Sequence, residues 1–465
     1  MRAFTVLVAA VLGIVLLVAP AQAAGPQHPG DFTGYAFDTC DAPSQKKMND
    51  WRRASRYAGV GVYIAGMNRA CKAQPHLTRT WVNKQERKGW RLLPLVVGRQ
   101  ASCAPHGRYV GKRISDRPAR GYAAARAQGR DAARRAVSAA RRLGIAKRSV
   151  LWFDLEHFDT GVKRCRLSAL SFTSGWTMGL HQRGYRSGFY SSASSGIAML
   201  DDARRNRPRK YALPDYLWVA EWNGQDTVRS SYISQQGWWP NRRVHQYRGP
   251  RTENHAGSRI NVDSNFLSTG RGTRAGKAGG PCMVRVDFPS YRRLERGDRG
   301  PRVAAAQCLL KQDRHYRGRL HGRYDKATSR AVRSFQRHQA GVSTSGAVTA
   351  RTWTSLLSHG GDPLVKYGAG GKAVRRLQRA LNAATDAALD IDGTFGKPEL
   401  RAVKGYQRQS GRADTGVVTP ATWRLLRHGR TVGRLASPAE LEISELLEGL
   451  GLLADIPFSS GAVRD

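Results

Sequence analysis

Short apolar runs alternate with longer stretches of helical periodicity along the first 270 residues. Thr33 to Asp38, Gly61 to Ile64 and Arg91 to Val97 carry the apolar, aromatic and β-branched side chains of strands. Between them, Lys47 to Tyr57 and Leu77 to Lys88 space their apolar positions as helices do. Gly121 to Leu143 is rich in Ala and Arg, with Gly144 placed to stop a helix, and it leads into a strand beginning at Val150. Helices at Leu167 to Arg183 and Ser194 to Arg205 flank a strand at Arg186 to Tyr190, and Tyr216 to Glu221, Val244 to Tyr247 and Asn261 to Asn265 complete eight strands. This order predicts an α/β fold, a (β/α)8 TIM-like barrel with reduced helices late in the barrel. A doubly wound sheet is the runner-up.

From Ser268 to Gly280 the pattern gives way to Gly, Arg, Thr and Lys, the composition of a flexible linker. Beyond it the chain repeats itself. Gly297 and Gly368, Val303 and Val374, Gln307 and Gln378, Leu310 and Leu381, and Val332 and Val403 stand 71 positions apart, and Gly346 and Gly416, and Trp353 and Trp423, stand 70 apart. Repeats of this length are small domains rather than solenoid units. Each reads as three helices with a Gly-rich loop before the middle one and Val, Leu and Phe or Tyr at helical spacing in its core.

At the other end, Arg2 precedes an apolar run from Phe4 to Val18 and the small residues Ala21-Gln-Ala-Ala24, which predicts a cleavable secretory signal. The run is short for a bilayer span, so no membrane span is expected after cleavage. The predicted division is a signal peptide at 1–24, a barrel at 30–270, a linker at 271–286, small domains at 287–360 and 362–429, and an acidic tail at 430–465. In that tail Glu440, Glu442, Glu445 and Glu448 alternate with Leu residues, as a helix docked on the basic body or as a free tail.

The chain has 465 residues with 77 Lys and Arg against 34 Asp and Glu, a formal charge of +43, which implies an anionic partner or surface. No nucleic-acid fold motif accompanies the basic residues, so a polyanion reading based on charge alone ranks last and nucleic acid is not the expected partner. For an exported chain, bacterial cell wall is the natural polyanion, with anionic wall polymers a further candidate. Six cysteines in an exported chain predict disulfides. There is no Cys-x-x-Cys, His-Glu-x-x-His or close His cluster, so neither metal nor cofactor is expected.

The candidate chemistry centres on Val150-Leu-Trp-Phe-Asp-Leu-Glu156. Strand alternation puts Val150, Trp152, Asp154 and Glu156 on one face, so two carboxyls project together at the strand's C-terminal end. Glycoside hydrolysis commonly needs such a pair, one to protonate the leaving oxygen and one to support charge on the sugar. Asp38, Glu221, Gln246 and Asp263 also fall at or near strand ends, where barrel active sites sit. Of the aromatics around the proposed mouth (Trp152, Trp218, Trp222, Trp238, Trp239 and Tyr247), one or two are expected to face a ligand and the rest to be core.

Tyr35-Ala-Phe-Asp-Thr-Cys40, Gly61-Val-Tyr-Ile-Ala-Gly66 with Cys71, Phe153-Asp-Leu-Glu156, Gly188-Phe-Tyr190, Trp218-Val-Ala-Glu-Trp222, His245-Gln-Tyr247 and Val262-Asp-Ser-Asn265 resemble the glycoside-hydrolase-like domain of secreted Gram-positive proteins. That group is itself similar to family 25 glycoside hydrolases, the lysozymes that cleave N-acetylmuramyl bonds. The resemblance covers roughly Gly30 to Gly270. It implies Glu156 as general acid, Asp154 as its partner on the same strand, and Asp38 and Asp263 as acids of the first and last strands. Glu221 has no assured counterpart in the lysozymes; with Gln246, Trp222 and Tyr247 it is a candidate substrate contact. Both repeats resemble the peptidoglycan-binding domain. The second keeps Asp392-Gly-Thr-Phe-Gly396 with Tyr406 for the usual Phe, whereas the first has His321-Gly-Arg-Tyr-Asp325 in that loop.

The resemblance implies a secreted, cell-wall-associated glycan hydrolase held on peptidoglycan by its two C-terminal domains. A catalytically silent peptidoglycan-binding protein is the alternative. Six cysteines leave many pairings open; the proposed folds favour Cys40 with Cys71, Cys103 with Cys165 and Cys282 with Cys308.

Overall fold

The computed structural model describes residues 25–105, 107–109, 111–270 and 284–435. The expected signal at 1–24, Cys282, most of the expected linker and the acidic end past Leu435 lie outside the described residues.

Eight strands close into a barrel in sequence order: β1 (Thr33–Asp38), β2 (Gly59–Ala65), β3 (Arg91–Val96), β4 (Val150–Asp154), β5 (Arg186–Ser192), β6 (Tyr216–Ala220), β7 (Arg243–His255) and β8 (Ser258–Ser268). Helices α1 (Gln45–Ala54), α2 (Arg79–Arg87), α3 (Ala119–Leu143), α4 (Lys163–His181) and α5 (Ala198–Asn206) make the crossovers after β1 to β5. The pleat sorts side chains onto two faces. Ala36, Leu93, Leu95, Val150, Trp152, Trp218, Val244 and Leu267 fill the barrel's interior, while Phe37, Val60, Leu92, Phe153 and Phe189 face outward into the layer shared with the helices. The helices thin out late in the barrel, as the sequence suggested: among the described residues none separates β6 from β7.

β1 to β7 are parallel, but β8 runs antiparallel to both β7 and β1, unlike the last strand of a regular (β/α)8 barrel. The cause is local. His255 pairs with Ser258 across Ala256 and Gly257, whose φ values of 52° and 80° are both left-handed, the signature of a two-residue hairpin turn that reverses the chain. The short strands expected at Val244 to Tyr247 and Asn261 to Asn265 are the paired bases of this long ribbon.

The two disulfides on described residues join the expected partners, Cys40 with Cys71 and Cys103 with Cys165, at Cα separations of 5.6 and 5.9 Å. The third expected pair involves Cys282, outside the described residues.

Each repeat forms three helices, α6 (Pro301–Gln312), α7 (Lys326–Arg337) and α8 (Ala350–Ser358) in the first, α9 (Lys372–Thr385), α10 (Lys397–Gln409) and α11 (Pro420–Arg427) in the second. The repeated motif residues hold these folds. Gln307 and Gln378 each accept from a loop glycine, Gly322 at 3.0 Å and Gly393 at 2.9 Å, and the indole N–H groups of Trp353 and Trp423 donate to Arg292 O and Pro363 O at 2.9 and 2.8 Å.

The second repeat packs on the outer face of β1 and β8 beside α1, whose Trp51 packs on Phe37 of β1 with ring centroids 4.8 Å apart and donates to Ser258 O of β8 at 2.8 Å. Tyr367 packs edge-on against Tyr35 and Phe266, with ring centroids 4.9 and 6.0 Å apart. Lys366 is buried beneath it; its Nζ donates to the carbonyls of Arg52 at 3.0 Å, Ser55 at 3.2 Å and Tyr57, and lies 5.2 Å from the Trp90 ring. Tyr35 O–H donates to Asp226 at 2.5 Å, and Asp226 pairs with Lys397 of α10 at 3.0 Å. No described helix is long and apolar enough to cross a membrane.

Candidate active site

The inward positions of β4 deliver Trp152 to the barrel core and Asp154, one step further, to its mouth. Beyond the strand end the chain is clamped by Gln100, whose amide donates to Asp154 O at 2.9 Å and whose carbonyl accepts from Glu156 N–H at 2.8 Å. That bracket fixes the backbone carrying both carboxyls. Asp38 closes β1 in the same way, and the antiparallel register sets Asp263 directly opposite it. Paired residues on antiparallel strands have Cα atoms about 4.5–5.5 Å apart. Room for this comes from Gly61 on β2, where a Cβ would stand 2.6 Å from that of Asp38.

Asp38, Asp154, Glu156 and Asp263 thus line one cleft of about 220 Å³, together with Tyr63, Asn68 and Arg69 and, at its edge, Cys40 and Cys71. Asp38 and Asp154 are buried, whereas Glu156 is partly exposed. Tyr63 and Tyr190 face the acids from neighbouring strands. Burial, reinforced by the charge of Asp154 and then of the other carboxylates, holds both phenols well above their usual range, so each stays a neutral donor.

A hydrogen-bond chain organises the far wall. Trp218 N–H donates to Asn265 Oδ1 at 2.7 Å; Asn265 donates to Asp38 at 2.6 Å, and Gln246 donates to both Asp38 oxygens at 3.2 and 3.3 Å. Gln246 accepts in turn from Tyr190 O–H at 3.0 Å and Trp222 N–H at 2.9 Å. Even with two donors on it, Asp38 is raised above the ordinary carboxyl range by burial. Asp263 is raised too, by burial first and then by the negative charge of Asp38. Two carboxyls this close hold one proton between them more readily than they release it. The pocket can therefore present a protonated carboxyl and ionised carboxylates side by side near neutral pH.

Of the residues singled out from sequence, the structure brings together Asp38, Asp154, Glu156 and Asp263 in the cleft and Gln246 behind Asp38, with Trp222, 63% exposed, bonded to Gln246. Glu221 and Tyr247 are not among them. Glu221 lines a separate cleft with Asn223, Arg229 and Trp239, and its backbone carbonyl lies 2.8 Å from His245 Nε2. Tyr247 points to the barrel's outside, where its hydroxyl accepts from Arg56 at 3.0 Å, because it is one residue out of phase with Gln246. Trp152 and Trp218 are interior core. Sequence reasoning missed Tyr63, Tyr190, Asn265, Gln100 and Arg69. The first three had a signal, since they alternate with outward residues on the strands that carry Gly61, Gly188 and Asp263. Gln100 and Arg69 lie in loops and had none.

Residues 49–267 match the family described as Rv2525c-like, glycoside hydrolase-like domain, and residues 299–356 and 370–426 each match the peptidoglycan-binding domain. A protein of Kitasatospora aureofaciens, described as an uncharacterized protein in the bpoA1 3' region, is 35% identical over 97 residues, 20% of this chain and 82% of that protein. Among solved structures, an uncharacterized Bacillus stearothermophilus protein is 20% identical over 50% of this chain and 95% of its own, with a TM-score of 0.31. The Mycobacterium tuberculosis Tat-secreted protein Rv2525c, in complex with L-tartrate, is 13% identical over 50% and 95%, with a TM-score of 0.32. A family 25 glycosyl hydrolase from Bacillus anthracis is 9% identical over 54% and 96%, with a TM-score of 0.31.

Proposed function

The chain joins an Rv2525c-like, glycoside hydrolase-like domain to two peptidoglycan-binding domains, and from that premise we propose that it is a secreted, wall-associated hydrolase of the peptidoglycan glycan strand, acting as a muramidase. The observation that carries this reading is the convergence of four carboxyls from β1, β4 and β8 in one cleft at the barrel mouth. In the proposed mechanism Glu156, the partly exposed member, stands where a leaving-group oxygen arrives and donates its proton. Asp154 supports the positive charge developing on the ring or orients the substrate's N-acetyl group, and a water then adds to the anomeric carbon and gives a proton back to the Glu156 carboxylate. Asp38 and Asp263 share a proton and hold the field of the pocket, so that full ionisation of all four acids is avoided. Trp222, exposed and tied through Gln246 to Asp38, offers an aromatic face for a sugar ring. The C-terminal domains keep the barrel at its insoluble substrate by raising its local concentration.

The test is incubation of the full chain with purified peptidoglycan and identification of the reducing ends released. N-acetylmuramic acid ends are expected, and Glu156→Gln, which keeps shape but cannot donate the proton, should slow their release roughly 10²-fold or more while wall binding persists. An unchanged rate in that variant rejects the assignment. Absence of cleavage by the wild-type chain on any peptidoglycan, with binding retained, makes the protein a wall-binding one.

A further inference from the structure

Beside the acid pocket lies a second groove of about 500 Å³, formed by the ends of β2 and β3 and one face of α3. Its charge is opposite. Arg69, Arg99, Arg134, Arg135 and Arg142 line it against a single acid, Asp131, which pairs with Arg134 and, at 2.8 Å, with Arg135. The other three arginines bond neutral oxygens: Arg69 donates to Tyr63 O at 3.2 Å, Arg99 to Arg113 O at 3.1 Å and Arg142 to Ser138 Oγ at 2.8 Å. Their charges are thus not neutralised by those contacts. Arg69 lines both cavities, so it stands on the wall between them, anchored at the end of the strand that carries Tyr63. Met67, 43% exposed, adds an apolar patch to the same groove.

We propose that this groove receives the acidic peptide carried by the glycan, so that the substrate is peptide-bearing rather than bare glycan. The proposal rests on the hydrolase reading only for the sugar's position. A muramyl sugar bound over the acid pocket carries its peptide on the lactyl ether of the same ring, so the peptide leaves the sugar beside the pocket and its free carboxylates lie further along it. The cleft itself, which stays negative even with Glu156 protonated and one proton shared by Asp38 and Asp263, repels them, whereas the neighbouring groove offers planar guanidinium donors suited to carboxylates. An alkyl side chain of the peptide finds Met67.

The experiment uses the full chain carrying Glu156→Gln, so that ligands are bound without turnover. Calorimetry compares a disaccharide–peptide fragment of peptidoglycan with the same disaccharide freed of its peptide. The peptide-bearing fragment should bind roughly tenfold more tightly at low salt, the worth of one good charge-assisted pair, and the preference should shrink as salt screens it. Adding Arg99→Gln and Arg142→Gln should abolish the preference while leaving affinity for the bare disaccharide and the thermal transition unchanged. Equal affinities in the parent, a preference insensitive to salt, or one that survives the double substitution overturns the proposal. The two readings fail separately. Wild-type protein that cleaves peptide-stripped glycan as fast as intact wall defeats the groove and keeps the hydrolase, whereas preferential fragment binding without any cleavage keeps the groove and defeats the hydrolase.

Discussion

Buried charge at the seat of the second repeat and buried charge at the barrel mouth are treated in opposite ways. Under the second repeat, the Lys366 ammonium meets three backbone carbonyls and the face of Trp90. Burial pulls its pKa well down, but three acceptors around one nitrogen match the three hydrogens of an ammonium, and a neutral amine would turn a lone pair toward one of them. We therefore assign the charged form. At the barrel mouth, Asp38 has donors in Asn265 and Gln246 yet faces Asp263 across the strand pair, and both are held above the ordinary carboxyl range. A compensated buried charge fixes an interface; a partly compensated one is a store of reactivity. The repeats sharpen the contrast. Lys366 and Tyr367 correspond, 71 positions earlier, to Glu295 and Arg296, both exposed, with Glu295 paired to Arg293 at 3.1 Å. One repeat uses this turn as a dock; the other leaves it in solvent.

The largest effect is expected from Lys366→Glu, which installs the first repeat's residue in the second. A carboxylate among three carbonyls is uncompensated, and the loss should be about 3–5 kcal/mol, read by denaturant unfolding, with the second repeat released from the barrel. The reciprocal Glu295→Lys should stay within about 0.5 kcal/mol. Similar losses for the two exchanges would break the comparison.

Next comes the glycine pair that follows. Gly297 and Gly368 have φ values of 101° and 81°, so Ala is strained at either, but only at Gly368 would a Cβ also meet Phe32 and Thr33 O, each at 2.5 Å, while at Gly297 nothing lies within 4 Å. Gly297→Ala should cost about 1 kcal/mol and Gly368→Ala about 2–4 kcal/mol by thermal unfolding. Equal costs would mean the second repeat is not seated on the barrel in solution.

In the acid pocket the sign reverses. Asp263→Asn should stabilise the protein at neutral pH by about 1–2 kcal/mol, a figure discounted for partial exposure. A carboxyl whose folded pKa is raised binds protons more tightly in the folded state, so its cost is absent below the ordinary carboxyl pKa and grows as pH rises through the folded value. The advantage of Asp263→Asn should therefore vanish near pH 3 and be full only above the raised pKa. An advantage that grew on acidification would contradict the shared-proton description. The smallest change is Lys397→Ala, which removes the half-exposed pair to Asp226. It should cost about 0.2–1 kcal/mol and less at high salt, against no measurable change for the corresponding Lys326→Ala.

These expectations bear on how the domains are separated experimentally. A chain cut near Gly270 would leave Tyr35 and Phe266 without Tyr367, and the carbonyls of Arg52, Ser55 and Tyr57 without Lys366. Point changes in the full chain are the cleaner probes.

The sequence by itself determined whatever is written in short periods. Alternation along Val150 to Asp154 put Trp152 and Asp154 on one inward face, and spacings of 71 and then 70 exposed the duplication together with the glutamines and tryptophans that hold each copy. Such patterns need only neighbours within a strand or a helical turn, so they are legible without the fold. The tertiary structure alone decided contacts between distant segments: Asn265 on Asp38 across 227 positions, Lys366 on Tyr57 across 309, Gln100 on both sides of the β4 end, and Arg69 on the wall between two cavities. No local periodicity names the partner of a loop glutamine or a turn lysine. The direction of β8 lies between the two cases. Ala256 and Gly257 hold the turn that reverses the chain, but only closure of the barrel against β1 turned that reversal into Asp263 facing Asp38.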